Sequence, residues 1–144
     1  MKLYLLHNMK KHNVLAVLCL LVMGMSLTFS ACKKDEREPP EVAFKTTSGY
    51  TFANATVGQG DSLMVGITAT KTEDELLTYN VSYAYDGAST TTTSQSFSIP
   101  DGATTYDKDV TIVTRNQAGS ERWVFTVTDR DGNITSKEFT LTVN

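Results

Sequence analysis

The chain has 144 residues, a formal charge of −3 at pH 7, and a composition 40% hydrophobic and 20% charged. That length suits one domain rather than two. The acidic balance shows no basic patch, which argues against a nucleic-acid partner and against an electrostatic grip on anionic lipid.

Residues 1–13 carry Lys2, Lys10 and Lys11 and no acid, and residues 14–29 carry no charge at all. A basic start followed by a short apolar run is the pattern of a secretory signal. A retained membrane span needs about 20 apolar residues, more than this run offers. The run ends in Phe29-Ser30-Ala31-Cys32, two small residues before a cysteine. The stretch resembles the lipobox of a bacterial lipoprotein signal, with Phe29 standing where an aliphatic residue is usual. The resemblance implies cleavage before Cys32, acylation of its thiol (palmitate or a similar chain) and anchoring in the outer membrane. The expected organisation is therefore a signal peptide over 1–31, an acylated Cys and charged tether over 32–40, and one folded domain over 41–144.

Removing residues 1–31 takes away His7, His12 and Cys19 and all three leader lysines, so the remainder carries a formal charge of −6. What is left has no His and one Cys. Ser-His-Asp and Cys-His catalysis lack their base. Zinc sites built from His and Cys lack their ligands. A disulfide lacks its second thiol. A domain of about 100 residues can still bury an adequate core without such staples.

Lys33-Lys34-Asp35-Glu36-Arg37-Glu38-Pro39-Pro40 has no apolar side chain to bury, so it reads as a solvated spacer spanning roughly 25 Å. Lys33, Lys34, Asp35 and Glu36 also resemble the export signal of surface lipoproteins in the Bacteroidota, where Lys and acids follow the acylated Cys. That resemblance implies display on the cell surface. A plain hydrophilic spacer on a periplasm-facing anchor is the alternative.

Beyond residue 40, alternation at period two predicts strands almost throughout. Val42 and Phe44 mark a short first strand. Leu63, Val65, Ile67 and Ala69 face one way on the next, after a turn at Gly58-Gln59-Gly60-Asp61. Residues 71–75 break the run and are expected to form one helical turn. Leu77, Tyr79, Val81, Tyr83 and Tyr85 line a third strand, closed by Asp86-Gly87. Residues 88–96 are nearly all Ser and Thr and lead to Phe97, Ile99 and the turn Pro100-Asp101-Gly102. Tyr106, Lys108, Val110 and Ile112 form another inward set. A loop over 115–120 precedes Trp123, Phe125 and Val127, and Phe139, Leu141 and Val143 end the chain. About seven short antiparallel strands, each with one polar face, predict an all-β sandwich of two packed sheets. The stretch from Trp123 to Asn133 resembles the closing hairpin of bacterial immunoglobulin-like modules, which implies an immunoglobulin-like β-sandwich. The Cys…Trp…Cys core of antibody domains is absent.

The candidate sites are few. Asp129-Arg130-Asp131-Gly132 looks like part of a calcium loop, but the first ligand position falls on Val127, an apolar strand residue. The competing reading is a hairpin turn with Gly132 at positive φ. Glu73, Asp74, Asp129 and Asp131 are accordingly the candidate metal ligands of a domain expected to hold no metal and no cofactor. Sandwich topology gathers them with Glu75 and Asp101 at one pole. Tyr79, Tyr83 and Tyr85 fit an aromatic platform for sugar or an inward strand whose phenols reach the rim. Asp61-Ser62-Leu63 resembles the O-glycosylation motif of the Bacteroidota, which would modify Ser62; otherwise it is a turn entering a strand. No constellation assigns catalytic roles. The expected function is a lipid-anchored, surface-exposed, non-catalytic binding or spacer module with a glycan or an extracellular or envelope protein as partner. A structural lipoprotein facing the periplasm is the alternative, and a hydrolase accessory domain a distant one.

Overall fold

The computed structural model describes residues 38–144, among which there is no helix. Cys32, Lys33, Lys34, Asp35 and Glu36 lie outside the described residues. Eight strands follow one another: β1 (Glu41–Phe44), β2 (Ala55–Val57), β3 (Ser62–Thr70), β4 (Leu76–Tyr85), β5 (Thr92–Ser98), β6 (Thr105–Val113), β7 (Gly119–Asp129) and β8 (Ile134–Val143). They form a three-stranded sheet in the order β1-β3-β6 and a five-stranded sheet in the order β2-β8-β7-β4-β5. Every pairing is antiparallel except that of β2 with β8.

The two sheets close on one core. Val65, Ile67, Ala69, Val110 and Ile112 come from the smaller sheet, and Tyr79, Val81, Trp123, Phe125, Val127, Phe139 and Leu141 from the larger. Successive strand residues point to opposite faces, so an apolar residue at every second position suffices to fill this interior. Aromatic contacts stitch the layers: Phe44 meets Phe125 edge-on at 5.3 Å, and Tyr79 meets Tyr106 at 6.3 Å. Such ring pairs add to the area they bury.

Three sequence expectations are corrected. The strand count is eight, because β2 adds a short parallel ladder to the end of β8. Residues 71–75 form bends and no helical turn, since Glu75 is drawn into bonds with the neighbouring loops. Leu77 is 36% exposed while Leu76 is fully buried. A register shift between Leu76 and Thr78 along β7 reverses their facing, as a bulge does when it inserts one residue into a ladder.

Candidate functional site: the two poles

The loops gather at two opposite ends of the sandwich. The first pole holds the β3–β4, β5–β6 and β7–β8 connections and the start of β1. Lys71 N donates to Thr104 O at 2.9 Å, and Arg130 N to Glu75 O at 2.9 Å. Gly102 N donates to Glu75 Oε2 at 3.1 Å. The Arg130 guanidinium lies between two carboxylates, 3.1 Å from Glu75 through Nε and paired with Asp101 through Nη2. Thr72 Oγ1 donates to Glu38 O at 2.7 Å, so the chain enters the domain here. The pole is thus a cross-linked acidic cluster with a cation inside it.

The metal candidates resolve accordingly. Asp129 is 1% exposed. Its Oδ1 accepts Asn133 N at 2.8 Å and its Oδ2 accepts Asn133 Nδ2 at 3.0 Å. Gly132 has φ +86°, as the hairpin turn demands. Asp129 therefore closes the β7–β8 hairpin, with both oxygens engaged by one residue. Asp131 is exposed on the turn. Glu73 and Asp74 sit in the β3–β4 loop, each with a partner. No group of three His, Cys, Asp or Glu side chains is spaced to hold a metal ion among the described residues.

The second pole carries the β2–β3, β4–β5 and β6–β7 connections. Thr114, 2% exposed, knots the first to the last. Its N–H donates to Asp61 O at 3.0 Å, its hydroxyl donates to Gly58 O at 2.8 Å, and the hydroxyl accepts Asp61 N at 2.9 Å. Asp86 ties in the β4–β5 turn: its Oδ1 accepts Arg115 Nη2 at 2.6 Å and Ser120 N at 3.0 Å. Those bonds, Arg115 first, hold the Asp86 carboxyl below the usual carboxylate range, and Asp86 in turn raises Arg115. Asp86 and Gly87 both take positive φ, 52° and 79°, the two left-handed residues of a primed hairpin turn.

Beneath this surface lies an acidic side chain that alternation alone did not single out. Glu121 is fully buried. Trp123 Nε1 donates to its Oε2 at 3.0 Å and Arg115 N to its Oε1 at 2.9 Å. The Arg115 guanidinium covers it, stacked 4.5 Å above the Tyr85 ring. Gly119 makes that approach feasible, since a Cβ there would meet Arg115 Nη2 at 2.0 Å. The available signal was phase: Glu121 falls in step with Trp123, Phe125 and Val127, a charged residue at an inward position.

The tyrosines divide. Tyr79 is fully buried in the core, stacked on Phe97 at 5.7 Å. Tyr83 packs between Trp123 at 5.4 Å and Tyr85 at 4.7 Å, carrying the core outward to Arg115. Burial, more than the neighbouring Glu121, raises the Tyr85 phenol. Ser62 is exposed at the start of β3.

A third cluster covers the outer face of the small sheet. Lys45 Nζ donates to Asp109 Oδ1 at 2.8 Å and Tyr50 OH to Asp109 Oδ2 at 2.9 Å. Both side chains lie across Gly66, where a Cβ would stand 2.7 Å from each. The Lys45 bond, then the Tyr50 bond, depresses the Asp109 carboxyl. This pins the β1–β2 connection flat against the sheet.

No protein-family model matches the chain, and no curated protein matches it either. Solved structures do. A superoxide reductase (neelaredoxin) from Ignicoccus hospitalis aligns with TM-score 0.51 at 10% identity, over 74% of this chain and 81% of that one. A CARDB domain from Pyrococcus furiosus, crystallised with di-metal ions, gives 0.41 at 14% identity over 74% and 97%. A family 123 glycoside hydrolase from Clostridium perfringens gives 0.46 at 10% identity, over 73% of this chain and 27% of the enzyme. At 10% identity the likeness to the neelaredoxin speaks to fold alone, an all-β two-sheet domain, and leaves function to the site.

Proposed function

We propose that the chain is a lipid-anchored, surface-displayed, non-catalytic immunoglobulin-like module that binds or spaces through its second pole, toward a glycan or an extracellular or envelope protein. The strand order supports the immunoglobulin-like assignment: three strands pack on a sheet whose middle strands are β8, β7 and β4, and the chain crosses between sheets after β1. The observation that carries the binding reading is the second pole itself. Three loops are locked to one another by Thr114, Asp86 and Arg115, at the end opposite the entry of the chain. Loops fixed on a rigid scaffold are where recognition concentrates, because little ordering is left to do on binding.

The anchor is tested with Cys32→Ser. Stable anchoring takes two lipid signals, and Cys32 is where the resemblance puts them. The Ser variant is expected in the soluble fraction, and its retention on membranes at high salt would overturn the anchor. Protease added to intact cells separates the two orientations: cleavage supports surface display, and protection supports the periplasm-facing alternative.

A further inference from the structure

Asp-Gly steps occur three times in this domain, Asp86-Gly87, Asp101-Gly102 and Asp131-Gly132, and each sits in a turn. Such a step carries a latent reaction. The glycine amide nitrogen can attack the Cγ of the preceding aspartate and close a five-membered ring. Glycine favours this because no Cβ shields its nitrogen and its backbone bends freely. With both partners on adjacent residues, ring closure needs a rotation and no collision. The carboxyl must be neutral, so that its hydroxyl can leave as water, and free to swing onto the amide.

The glycines do not tell the three steps apart. A Cβ at Gly87, Gly102 or Gly132 would meet nothing within 4 Å, and all three take positive φ. The carboxylates do. Asp86 Oδ1 accepts Arg115 Nη2 at 2.6 Å and Ser120 N at 3.0 Å. Those bonds, Arg115 first, keep it ionised below the usual carboxylate range. Asp101 is paired with Arg130 Nη2, and the Gly102 amide is itself committed to Glu75 Oε2 at 3.1 Å. Charge-assisted bonds of this kind are the stronger ones to break. Asp131 is exposed, and its carboxylate takes no hydrogen bond or ion pair among the described residues. The Gly132 amide reaches Asp129 O at 3.3 Å, longer than the usual N–H···O bond.

We propose that Asp131-Gly132 is a site of spontaneous backbone modification, converting to isoaspartate through a cyclic imide, while Arg115 and Arg130 hold Asp86 and Asp101 in their original form. The atoms balance with water as the co-reactant. Gly132 N bonds to Asp131 Cγ, and the amide proton and the carboxyl hydroxyl depart together as water. A second water then opens the ring at either carbonyl. Opening at the α-carbonyl leaves the main chain running through Cβ and Cγ, one atom longer, with the α-carboxylate as side chain. That extra atom falls inside the β7–β8 turn. The two bonds from Asn133 to Asp129 span the altered step, so the modification loosens the hairpin closure.

The test ages the full chain in detergent micelles at mildly acidic pH, below its melting temperature. Digestion and electron-transfer fragmentation then read isoaspartate at each of the three steps. Isoaspartate is expected to accumulate several-fold faster at Asp131 than at Asp86 or Asp101. In guanidinium, where no fold holds the carboxylates, the three rates are expected to converge. Arg130→Gln frees Asp101 and is expected to raise isoaspartate there several-fold. Arg130 is a surface side chain, so the fold survives the change. Asp131→Glu, which would need a six-membered ring, is expected to stay unmodified at that step. Equal rates in the folded protein, a lead for Asp86 or Asp101, or a lead for Asp131 that persists in guanidinium overturns the proposal. An Arg130→Gln protein with no rise at Asp101 overturns the protective role of that pair. Hydrogen exchange at the Asn133 amide is expected to quicken in the modified fraction, and unchanged exchange there overturns the loosened hairpin alone.

Discussion

Trp123 and Tyr79 show how two aromatic residues of the same core contribute differently. Trp123 is 3% exposed, rests on Tyr83, and donates to the buried Glu121 carboxylate. Trp123→Ala empties a large site and leaves the buried Glu121 Oε2 without its donor. A loss of about 3–5 kcal/mol is expected in a denaturant melt, and a change under about 1 kcal/mol would mean the ring bears little of the core. Tyr79 is fully buried, and its hydroxyl finds no protein partner. Burial pushes its phenol well above the usual tyrosine value. The folded state therefore holds this proton where the unfolded chain has released it. Stability from Tyr79 is complete below the unfolded value of about 10 and falls as pH rises beyond it. Tyr79→Phe removes both the orphan hydroxyl and this titration. It should match or exceed the wild type in urea stability at pH 7 and lose less of it at alkaline pH; equal alkaline losses in the two proteins would exclude Tyr79 as the cause.

Strands were legible where the inward residues are apolar. Val65-Ile67-Ala69, Trp123-Phe125-Val127 and Phe139-Leu141-Val143 announce their faces by period alone. β2 was not, because Ala55, Thr56 and Val57 make too short a run to show a period, and its partner is distant in sequence. Leu77 misled for a related reason: a bulge shifts the phase by one and leaves no mark in composition. The β7–β8 hairpin was read two ways in sequence, and its geometry favours the turn. Both Asp129 oxygens are occupied by Asn133, so a cation would have to displace bonds that already hold the hairpin. Chelator is expected to leave the melting temperature unchanged, and millimolar calcium to leave it unchanged as well. A clear calcium-dependent rise would mark preferential binding to the folded state and return Asp129 and Asp131 to the role of ligands.

At the scale of the whole molecule, pole membership follows from successive strands running up and down a sandwich, so it was largely predictable once the sandwich was read from the sequence. Their chemistry was less so. Arg130 turns the acidic pole into an internally paired cluster, and the second pole owes its rigidity to Thr114 and Arg115, whose partners Asp61 and Asp86 are remote in sequence. Polarity follows from where the chain enters. Thr72 holds Glu38 at the first pole, so under the Cys32 anchoring proposed above the first pole would be the end nearer the membrane and the second pole the one that meets a partner. Contact with a partner at the second pole should then be sensitive to bulk at Asn116, exposed in the β6–β7 loop, and indifferent to bulk at Asp131 on the β7–β8 turn. Neither substitution touches the core, so stability should not confound the comparison. Asn116→Cys and Asp131→Cys, each in a form lacking other cysteines and coupled to a bulky maleimide, make the measurement. Partner binding is expected to be lost with the label at position 116 and kept with it at 131. The reverse pattern would assign recognition to the acidic pole and leave the locked loops a purely structural end wall.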